Sequence, residues 1–200
     1  MPTPDALAID IAILLPKTGR ALVAHLNEAL AAPPQGFRFD RTHLPHVTLA
    51  QLLVSRDRLA NMAEAVGRVL QDVPPLELTT ASIRKGHTAS SLAVLTTPSV
   101  IRLHRRIMAV LAPFECYRGS IAAFHPEEPQ ARPADLDWAT NYRQRSSHTH
   151  YDPHITIGIG ASKAIVEPLR FVATRIAACH LGCFCTCRAV LETWTLTAMT

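Results

Sequence analysis

Two short segments of the chain carry the same potentially catalytic side chains in the same order. The pattern Pro-His-x-Thr occurs twice, with its histidines at His46 and His154 and its threonines at Thr48 and Thr156. The frequencies of these residue types in this chain predict roughly 0.07 occurrences of the pattern. Because side chains two positions apart share a face of a β-strand, each histidine projects beside its threonine. The repetition disfavours the alternative that these are strands whose polar face is merely solvated.

Two imidazoles and two hydroxyls around one small volume suit the hydrolysis of a phosphodiester. A neutral imidazole accepts a proton from an attacking water or hydroxyl, and a protonated imidazole gives one to the leaving oxygen. Threonine hydroxyls donate to the non-bridging oxygens, so the scheme requires no metal. The sequence therefore predicts His46 and His154 as catalytic and Thr48 and Thr156 as phosphate-binding. It leaves open which histidine is the base.

The elements around the two motifs follow the same order, which predicts a duplicated chain forming one domain over 1–200. The first unit, about 1–85, is predicted to contain a strand at 7–15, a helix after Pro16, a strand at 45–50, a helix capped by Asp57 and a strand at 76–83. The second unit, about 90–200, is predicted to contain a strand at 91–97, a helix from Pro98, a strand at 153–158, a short helix from Ser162 and strands near 171–180 and 187–197.

The second unit carries an inserted loop at about 113–152 that leads directly to His154. Loops of this length are usually functional or disordered. As a cover of the groove, the segment would supply an aromatic ring such as Tyr151 to stack on a base, and Arg143 or Arg145 to hold a second phosphate. The alternative is a solvated surface excursion. His43, three positions before His46, is a further candidate for substrate binding.

At the paired motifs the sequence resembles the 2H phosphoesterase superfamily, which includes 2′-5′ RNA ligase-like proteins and 2′,3′-cyclic nucleotide phosphodiesterases. The resemblance covers nearly the whole chain, and the double motif is its specific part. It implies an α+β fold with two antiparallel sheets and flanking helices around a central groove. It also implies metal-independent catalysis by His46 and His154, with phosphate contacts from Thr48 and Thr156. Members differ widely in substrate, and some bind nucleotides without well-established turnover.

Composition agrees with a globular protein that acts on phosphates but does not identify one. Hydrophobic residues make up 48% of the 200 residues, and the formal net charge is +4. Seventeen of the 20 basic residues are arginines, whose guanidinium fits phosphate oxygens. No apolar stretch reaches the ~18 to 20 residues that would span a membrane, and Pro2, Pro4 and Asp5 interrupt any secretory signal. These features predict a cytoplasmic protein without membrane contact.

The five cysteines are predicted to be packed thiols. An odd number of cysteines argues against a disulfide scaffold. Cys183, Cys185 and Cys187 lack the two-residue spacer of a zinc knuckle, and in an extended strand they would lie on one face as small hydrophobic residues. We therefore expect neither a metal nor another cofactor.

Two functional hypotheses follow from the sequence. The first is a metal-independent phosphodiesterase acting on 2′,3′-cyclic phosphates of nucleotides or RNA ends, or on 2′,5′ linkages. The alternative is a nucleotide- or RNA-binding module that uses the same groove with little or no turnover. The partner in both cases is a nucleotide or RNA. The sequence is compatible with a monomer and does not define the oligomeric state.

Overall fold

Eight β-strands form two antiparallel four-stranded sheets in the computed structural model, which describes residues 5–127 and 129–197. Pro2 and Pro4 lie outside these residues. The strands are β1 (Ala6–Leu14), β2 (His46–Ser55), β3 (Leu76–Lys85), β4 (Ala89–Val94), β5 (His154–Ile159), β6 (Arg170–Ala173), β7 (Arg175–Leu181) and β8 (Cys187–Thr195).

Each sheet combines strands from both halves of the sequence. The first sheet has the order β2-β1-β7-β8, and the second has the order β5-β4-β3-β6. The prediction of one strand at 171–180 is therefore wrong. The chain leaves the second sheet after β6, passes Thr174 and enters the first sheet as β7. The α+β fold with two antiparallel sheets is confirmed, but the two sheets do not correspond to the two sequence units.

Four α-helices accompany the sheets: α1 (Lys17–Glu28), α2 (Leu59–Leu70), α3 (Pro98–Leu111) and α4 (Pro133–Ser146). The start of α3 follows from its sequence, because Pro98 occupies the first turn and the Thr97 side chain accepts a hydrogen bond from the Val100 N–H at 3.3 Å. Among the described helices, none combines the length and apolarity that crossing a bilayer requires.

Helices α2 and α3 each pack one apolar face, formed by residues at helical spacing, against the rest of the core. The core side chains of α2 include Met62 and Val66, and those of α3 include Val100 and Ile107, all of them fully buried. All nine residues of β1 are buried, because β1 lies inside its sheet between β2 and β7. Burial of this apolar surface is the main favourable contribution to folding.

Two predicted helix starts are wrong, and each has a local cause. Asp57 does not cap α2: it accepts a hydrogen bond from the Ser55 hydroxyl within a 3₁₀ turn, and the helix begins two residues later. No helix forms at Ser162, whose hydroxyl instead accepts from the Ala164 N–H in a local turn. The Ser162 N–H donates to Ser90 in β4.

The segment at 113–152 is not simply a loop, because it contains the 14-residue helix α4. Arg132 and Asp135 organise the first turn of α4: the Asp135 carboxylate accepts bonds from the Arg132 backbone N–H and guanidinium. The periodic apolar stripe that marks α2 and α3 is weak in α4, where Ala139 and Tyr142 are the main buried apolar residues.

The expectation that the three clustered cysteines share one face of a strand is wrong. Residues Cys183–Cys185 form a 3₁₀ turn in which Phe184 and Cys185 adopt left-handed φ angles of 60° and 52°. Cys187 alone of the three lies in a strand, at the start of β8. All five thiols are free, so the expectation of unpaired cysteines agrees with the structure.

Helix α1 contacts the second sheet and fixes the position of β5. The buried Asn27 amide donates to the carbonyl of Phe37 at 3.1 Å and to that of Ile157 at 2.9 Å. Gly158 permits this approach: a Cβ atom there would lie 2.8 Å from Asn27 Nδ2 and 2.7 Å from Leu30 Cδ1. The φ angle of Gly158, +152°, also favours glycine.

Replacement of Gly158 by alanine should therefore destabilise the protein through crowding as well as backbone strain. Gly160→Ala is a matched control, because Gly160 also has a positive φ of +108° but its added Cβ would be 3.9 Å from its nearest neighbour. We expect Gly158→Ala to lower the free energy of unfolding by about 1–3 kcal/mol more than Gly160→Ala. Urea unfolding measures both changes. An equal loss of unfolding free energy in the two variants would show that the contact between α1 and β5 at Gly158 is not tight.

Candidate functional site

The two motif strands lie at the edges of their sheets and contact each other. β2 ends one sheet and β5 ends the other. The side chains of His46, Thr48, His154 and Thr156 all line one cleft of about 540 Å³ between these edges. The structure therefore brings together the four residues that the sequence singled out.

The same backbone interaction orients both imidazoles. His46 Nδ1 lies 2.8 Å from the carbonyl oxygen of Leu44, and His154 Nδ1 lies 2.8 Å from that of Asp152. Because a carbonyl only accepts, each ring donates its Nδ1 proton to the residue two positions before it. In both rings Nε2 is then the nitrogen available for proton transfer.

A β-bulge follows the threonine in each motif strand. In the pairing of β1 with β2, Ala12 is opposite Thr48 and Ile11 is opposite Ala50, so Leu49 is an extra residue. In the pairing of β4 with β5, Ile157 is extra in the same way. A bulge shifts the alternation of side chains by one position. Gln51, three positions after Thr48, therefore joins Thr48 beside the cleft.

The carboxylate of Asp10 lies beneath the first motif. This side chain in β1 is fully buried, and its Oδ2 accepts hydrogen bonds from the Thr48 hydroxyl at 2.7 Å and the Gln51 amide at 2.8 Å. His46 Nε2 is 3.4 Å from the same oxygen. Burial by itself would lower the pKa of His46, but the Asp10 carboxylate outweighs it and raises the pKa to about 9. His46 is therefore protonated at neutral pH.

Asp10, His46 and Cys187 each place one potential ligand atom within 4.8 Å of the others. The Asp10 oxygen that faces His46 already accepts two hydrogen bonds. Burial also raises the pKa of the Cys187 thiol well above its usual value, which disfavours the thiolate that a metal requires. We therefore interpret this group as part of an acid–base site rather than as a set of metal ligands.

A buried histidine holds the segment that leads into β5. His104 in α3 donates from Nδ1 to the Leu49 carbonyl at 2.7 Å, and its Nε2 accepts from the His148 N–H at 2.9 Å. The ring of Tyr151 stacks on His104 with centroids 3.7 Å apart, and the Tyr151 hydroxyl donates to the Thr48 carbonyl. Burial lowers the pKa of His104 to about 4, so its ring is neutral.

Helix α4 forms one wall of the cleft and supplies an aromatic side chain. Trp138 lines the cleft and is 41% exposed, so its ring is available for a ligand. Arg132, just before α4, also lines the cleft, forms an ion pair with Asp135 and lies 4.0 Å over the ring of Phe184. The predicted cover of the groove is thus a helical wall.

The other candidate residues have different positions. Tyr151 lines the cleft, but its hydroxyl is bonded to Thr48. Arg143 is not at the cleft: it forms an ion pair with Glu115 and donates to the Met108 carbonyl. Arg145 is likewise outside the cleft and forms an exposed ion pair with Asp137. Arg132 is the arginine that the structure places in the cleft.

His43 is buried beside the cleft rather than exposed in it. Its Nε2 lies 2.5 Å from the Thr186 hydroxyl, which donates its own hydrogen to the Cys183 carbonyl. His43 is therefore the donor in this pair. Burial, followed by the charge of Arg188, lowers the pKa of His43 to about 4, so the ring is neutral and supports the 183–186 turn.

A larger depression lies elsewhere, between α3 and the β3 and β6 strands. Its volume is about 1010 Å³, and its basic lining residues are Arg102, Arg106 and Arg170. Arg106 is paired with Asp72. No histidine or cysteine is among its lining residues, so size alone does not make it the catalytic site.

Comparison with known proteins identifies the fold and the family of this chain. E. coli LigT in complex with NADP+ has a similar fold: TM-score 0.60, 20% identity, and coverage of 96% of this chain and 99% of LigT. The protein TT0787 of Thermus thermophilus gives a TM-score of 0.60 at 14% identity, with 97% and 100% coverage. No curated protein matches the chain. The sequence model of the 2′-5′ RNA ligase superfamily matches residues 17–178, which confirms the resemblance seen in the paired motifs. The chain therefore belongs to the 2′-5′ RNA ligase superfamily.

Proposed function

We propose that this protein is a metal-independent phosphodiesterase that hydrolyses 2′,3′-cyclic phosphates of nucleotides or RNA ends, or 2′,5′ linkages. The observation that carries the proposal is the presence of two imidazoles at one cleft, each with its Nδ1 bonded to a carbonyl, which leaves its Nε2 for proton transfer. Family membership supports phosphoesterase chemistry. Crystal structures of E. coli LigT with 3′-AMP and with phosphate support a nucleotide phosphate as the ligand class.

The proposed reaction exchanges one phosphorus–oxygen bond for another. One imidazole removes a proton from water as the water oxygen attacks phosphorus. The bond from phosphorus to the leaving ribose oxygen breaks, and the other imidazole protonates that oxygen. The Thr156 hydroxyl makes no side-chain hydrogen bond within the described residues and is free to donate to a non-bridging oxygen. The Thr48 hydroxyl, in contrast, donates to Asp10 and must rotate to do the same.

Alanine at either catalytic histidine should abolish most of the turnover. We expect His46→Ala and His154→Ala each to lower kcat by about 10²- to 10⁴-fold, because general acid and general base catalysis contribute factors of this size. His25→Ala is the control, because His25 is an exposed residue of α1 paired with Glu28. The assay uses 2′,3′-cyclic nucleotides, RNA with cyclic-phosphate ends and 2′,5′-linked oligoadenylate, and identifies the position of the product phosphate.

Three results of this assay bear on the proposal. Full activity in both single variants would contradict it. Binding of these compounds without product from the wild-type protein would favour the binding module. Loss of activity in strong chelator would contradict metal independence, since the proposed proton transfers need only the two imidazoles.

Trp138 is predicted to bind the base of the substrate. Stacking of a base on an aromatic ring contributes about 1–3 kcal/mol, so Trp138→Ala should raise KM by roughly 5- to 150-fold with a smaller change in kcat. Tyr117→Ala is the control, because Tyr117 is an exposed aromatic residue that does not line this cleft. An unchanged KM for every nucleotide of the panel would remove Trp138 from the binding site.

A further inference from the structure

The cleft has two half-sites: the first contains His46 and Thr48 on the paired strands β1 and β2, and the second contains His154 and Thr156 on the paired strands β4 and β5. The two half-sites have matching backbones but different charges. Both have a histidine bonded to a carbonyl two positions earlier, and both have a bulge after the threonine. In the first half-site Asp10 is opposite Gln51 in the strand pairing, whereas in the second Ala89 is opposite Ile159. Ala89 therefore occupies the position that corresponds to Asp10. The Asp10 carboxylate and its partner, the Gln51 amide, therefore occur only in the first half-site.

The buried Asp10 carboxylate requires a positive partner. Asp10 is 0% exposed, and its Oδ1 has no hydrogen-bond partner within the described residues. Burial of an unpaired carboxylate is very costly. Within the part of the chain that the structure describes, His46 is the group that forms an ion pair with Asp10. The imidazolium form of His46 balances this charge.

The distance between the two groups leaves the His46 proton available to a substrate. His46 Nε2 and Asp10 Oδ2 are 3.4 Å apart, which is longer than a normal N–H···O bond of about 2.7–3.2 Å. Thr48 and Gln51 already donate to the same oxygen. Asp10 therefore stabilises the charge on the ring without binding the proton tightly, while His46 itself lines the cleft.

We propose that Asp10 is a positioning residue that sets the direction of proton transfer: it keeps His46 as the proton donor to the leaving oxygen, so that His154 is the base. This inference rests on the proposed function. His154 Nε2, unlike that of His46, has no carboxylate within 4.0 Å among the described residues. The backbone carbonyl of Asp152 orients its ring, but the carboxylate of that residue pairs with Arg84.

The other titratable groups near His46 contribute less than Asp10 to its raised pKa, and the coulombic effect of Cys179 is smaller than both effects of Asp10. These other groups are His43 on the preceding loop, Cys179 on β7, Cys187 on β8, and His154 on the facing edge of the cleft. The His43 ring is neutral because its pKa is lowered to about 4, and burial keeps the Cys187 thiol protonated. Asp10 is therefore the group whose removal tests the proposal.

The first test follows the imidazole resonances by NMR as a function of pH. The midpoint of His46, whose pKa is about 9 in the wild-type protein, should fall below about 7 in Asp10→Asn, a change that preserves side-chain size. Ala89→Asp should instead raise the midpoint of His154 by at least about one pH unit, since it introduces a carboxylate at the matching position. Ala89→Asn, which adds no charge, is the control. Unchanged midpoints in Asp10→Asn and Ala89→Asp would overturn the proposal.

The second test measures kcat and KM against pH. Because the acid must be protonated, activity is lost as pH rises through the His46 midpoint, and Asp10→Asn should move this basic limb to lower pH. A fall of the midpoint from about 9 to about 7 or below reduces the protonated fraction of His46 at pH 8 at least about tenfold, so we expect a loss in kcat of about 10- to 30-fold with little change in KM. A substrate with sulfur in place of the leaving oxygen needs no protonation of that atom, so on it the loss should shrink to less than about threefold. An equal loss on both substrates would contradict the assignment of His46 as the acid.

A stability measurement provides a test that is independent of activity. The folded protein binds a proton at His46 more tightly than the unfolded chain does, so stability is highest below the unfolded pKa of 6.5 and falls as pH rises towards 9. From pH 6.5 to 8.5, this group should raise the unfolding equilibrium constant about 30-fold in the wild-type protein relative to Asp10→Asn. Asp10 also raises the pKa of the Cys185 and Cys187 thiols, but burial is the larger cause and keeps both thiols protonated in the folded state over this pH range. If the free energy of unfolding changed with pH in the same way in the wild-type protein and in Asp10→Asn, the ion pair between His46 and Asp10 would be contradicted.

Failure of the proposed function can be distinguished from failure of this inference. If the wild-type protein hydrolyses none of the panel, the phosphodiesterase function fails, while NMR and stability still report whether Asp10 sets the charge of His46. If the wild-type protein is active but Asp10→Asn changes neither the pH profile nor the His46 midpoint, the phosphodiesterase function stands and the role of Asp10 is wrong.

Discussion

The candidate site depends on one hydrogen bond made twice: the bond from each motif imidazole to the carbonyl two residues before it. This bond fixes the tautomer and directs Nε2 towards proton transfer. Each carbonyl must itself be held. Leu44 is held by a backbone bridge to Cys187 at the start of β8. Asp152 precedes Pro153, whose carbonyl accepts from the Val94 N–H in β4. Both imidazoles are therefore oriented by neighbouring strands, and the chemistry depends on correct pairing within each sheet.

Interleaving of the chain makes the cleft a product of the whole fold. The C-terminal strands β7 and β8 complete the sheet that carries His46, and β3, from the first half of the chain, lies in the sheet that carries His154. Asn27 joins α1 to β5 and His104 joins α3 to β2, through bonds to the carbonyls of Ile157 and Leu49. Each complete sheet therefore contains strands from both sequence units.

Local sequence signals predicted most of the fold and the four central residues, and the failures have physical causes. The alternation of side chains along a strand places Val47 and Leu49 in the core, as observed. The bulge at Leu49 then shifts the alternation by one position, so a strict two-residue period does not predict that Gln51 lies on the same face as Thr48. Asp10 had a visible signal, a lone carboxylate within an otherwise apolar strand, yet its partners come from β2 and could be identified only in three dimensions. Arg132 had no such signal, because its place at the cleft depends on how α4 packs.

The two motifs supply imidazoles that are oriented alike, but the proposed acid–base catalysis needs them to differ in proton affinity. If their proton affinities were the same, a molecule carrying one proton would hold it on the wrong ring half of the time. A difference of one pKa unit, about 1.4 kcal/mol, gives the correct arrangement a tenfold advantage. The carboxylate of Asp10 is on the His46 side alone, and its counterpart is Ala89. In the proposed mechanism this carboxylate distinguishes the acid from the base, while the carbonyl bond that orients each ring is the same in both half-sites.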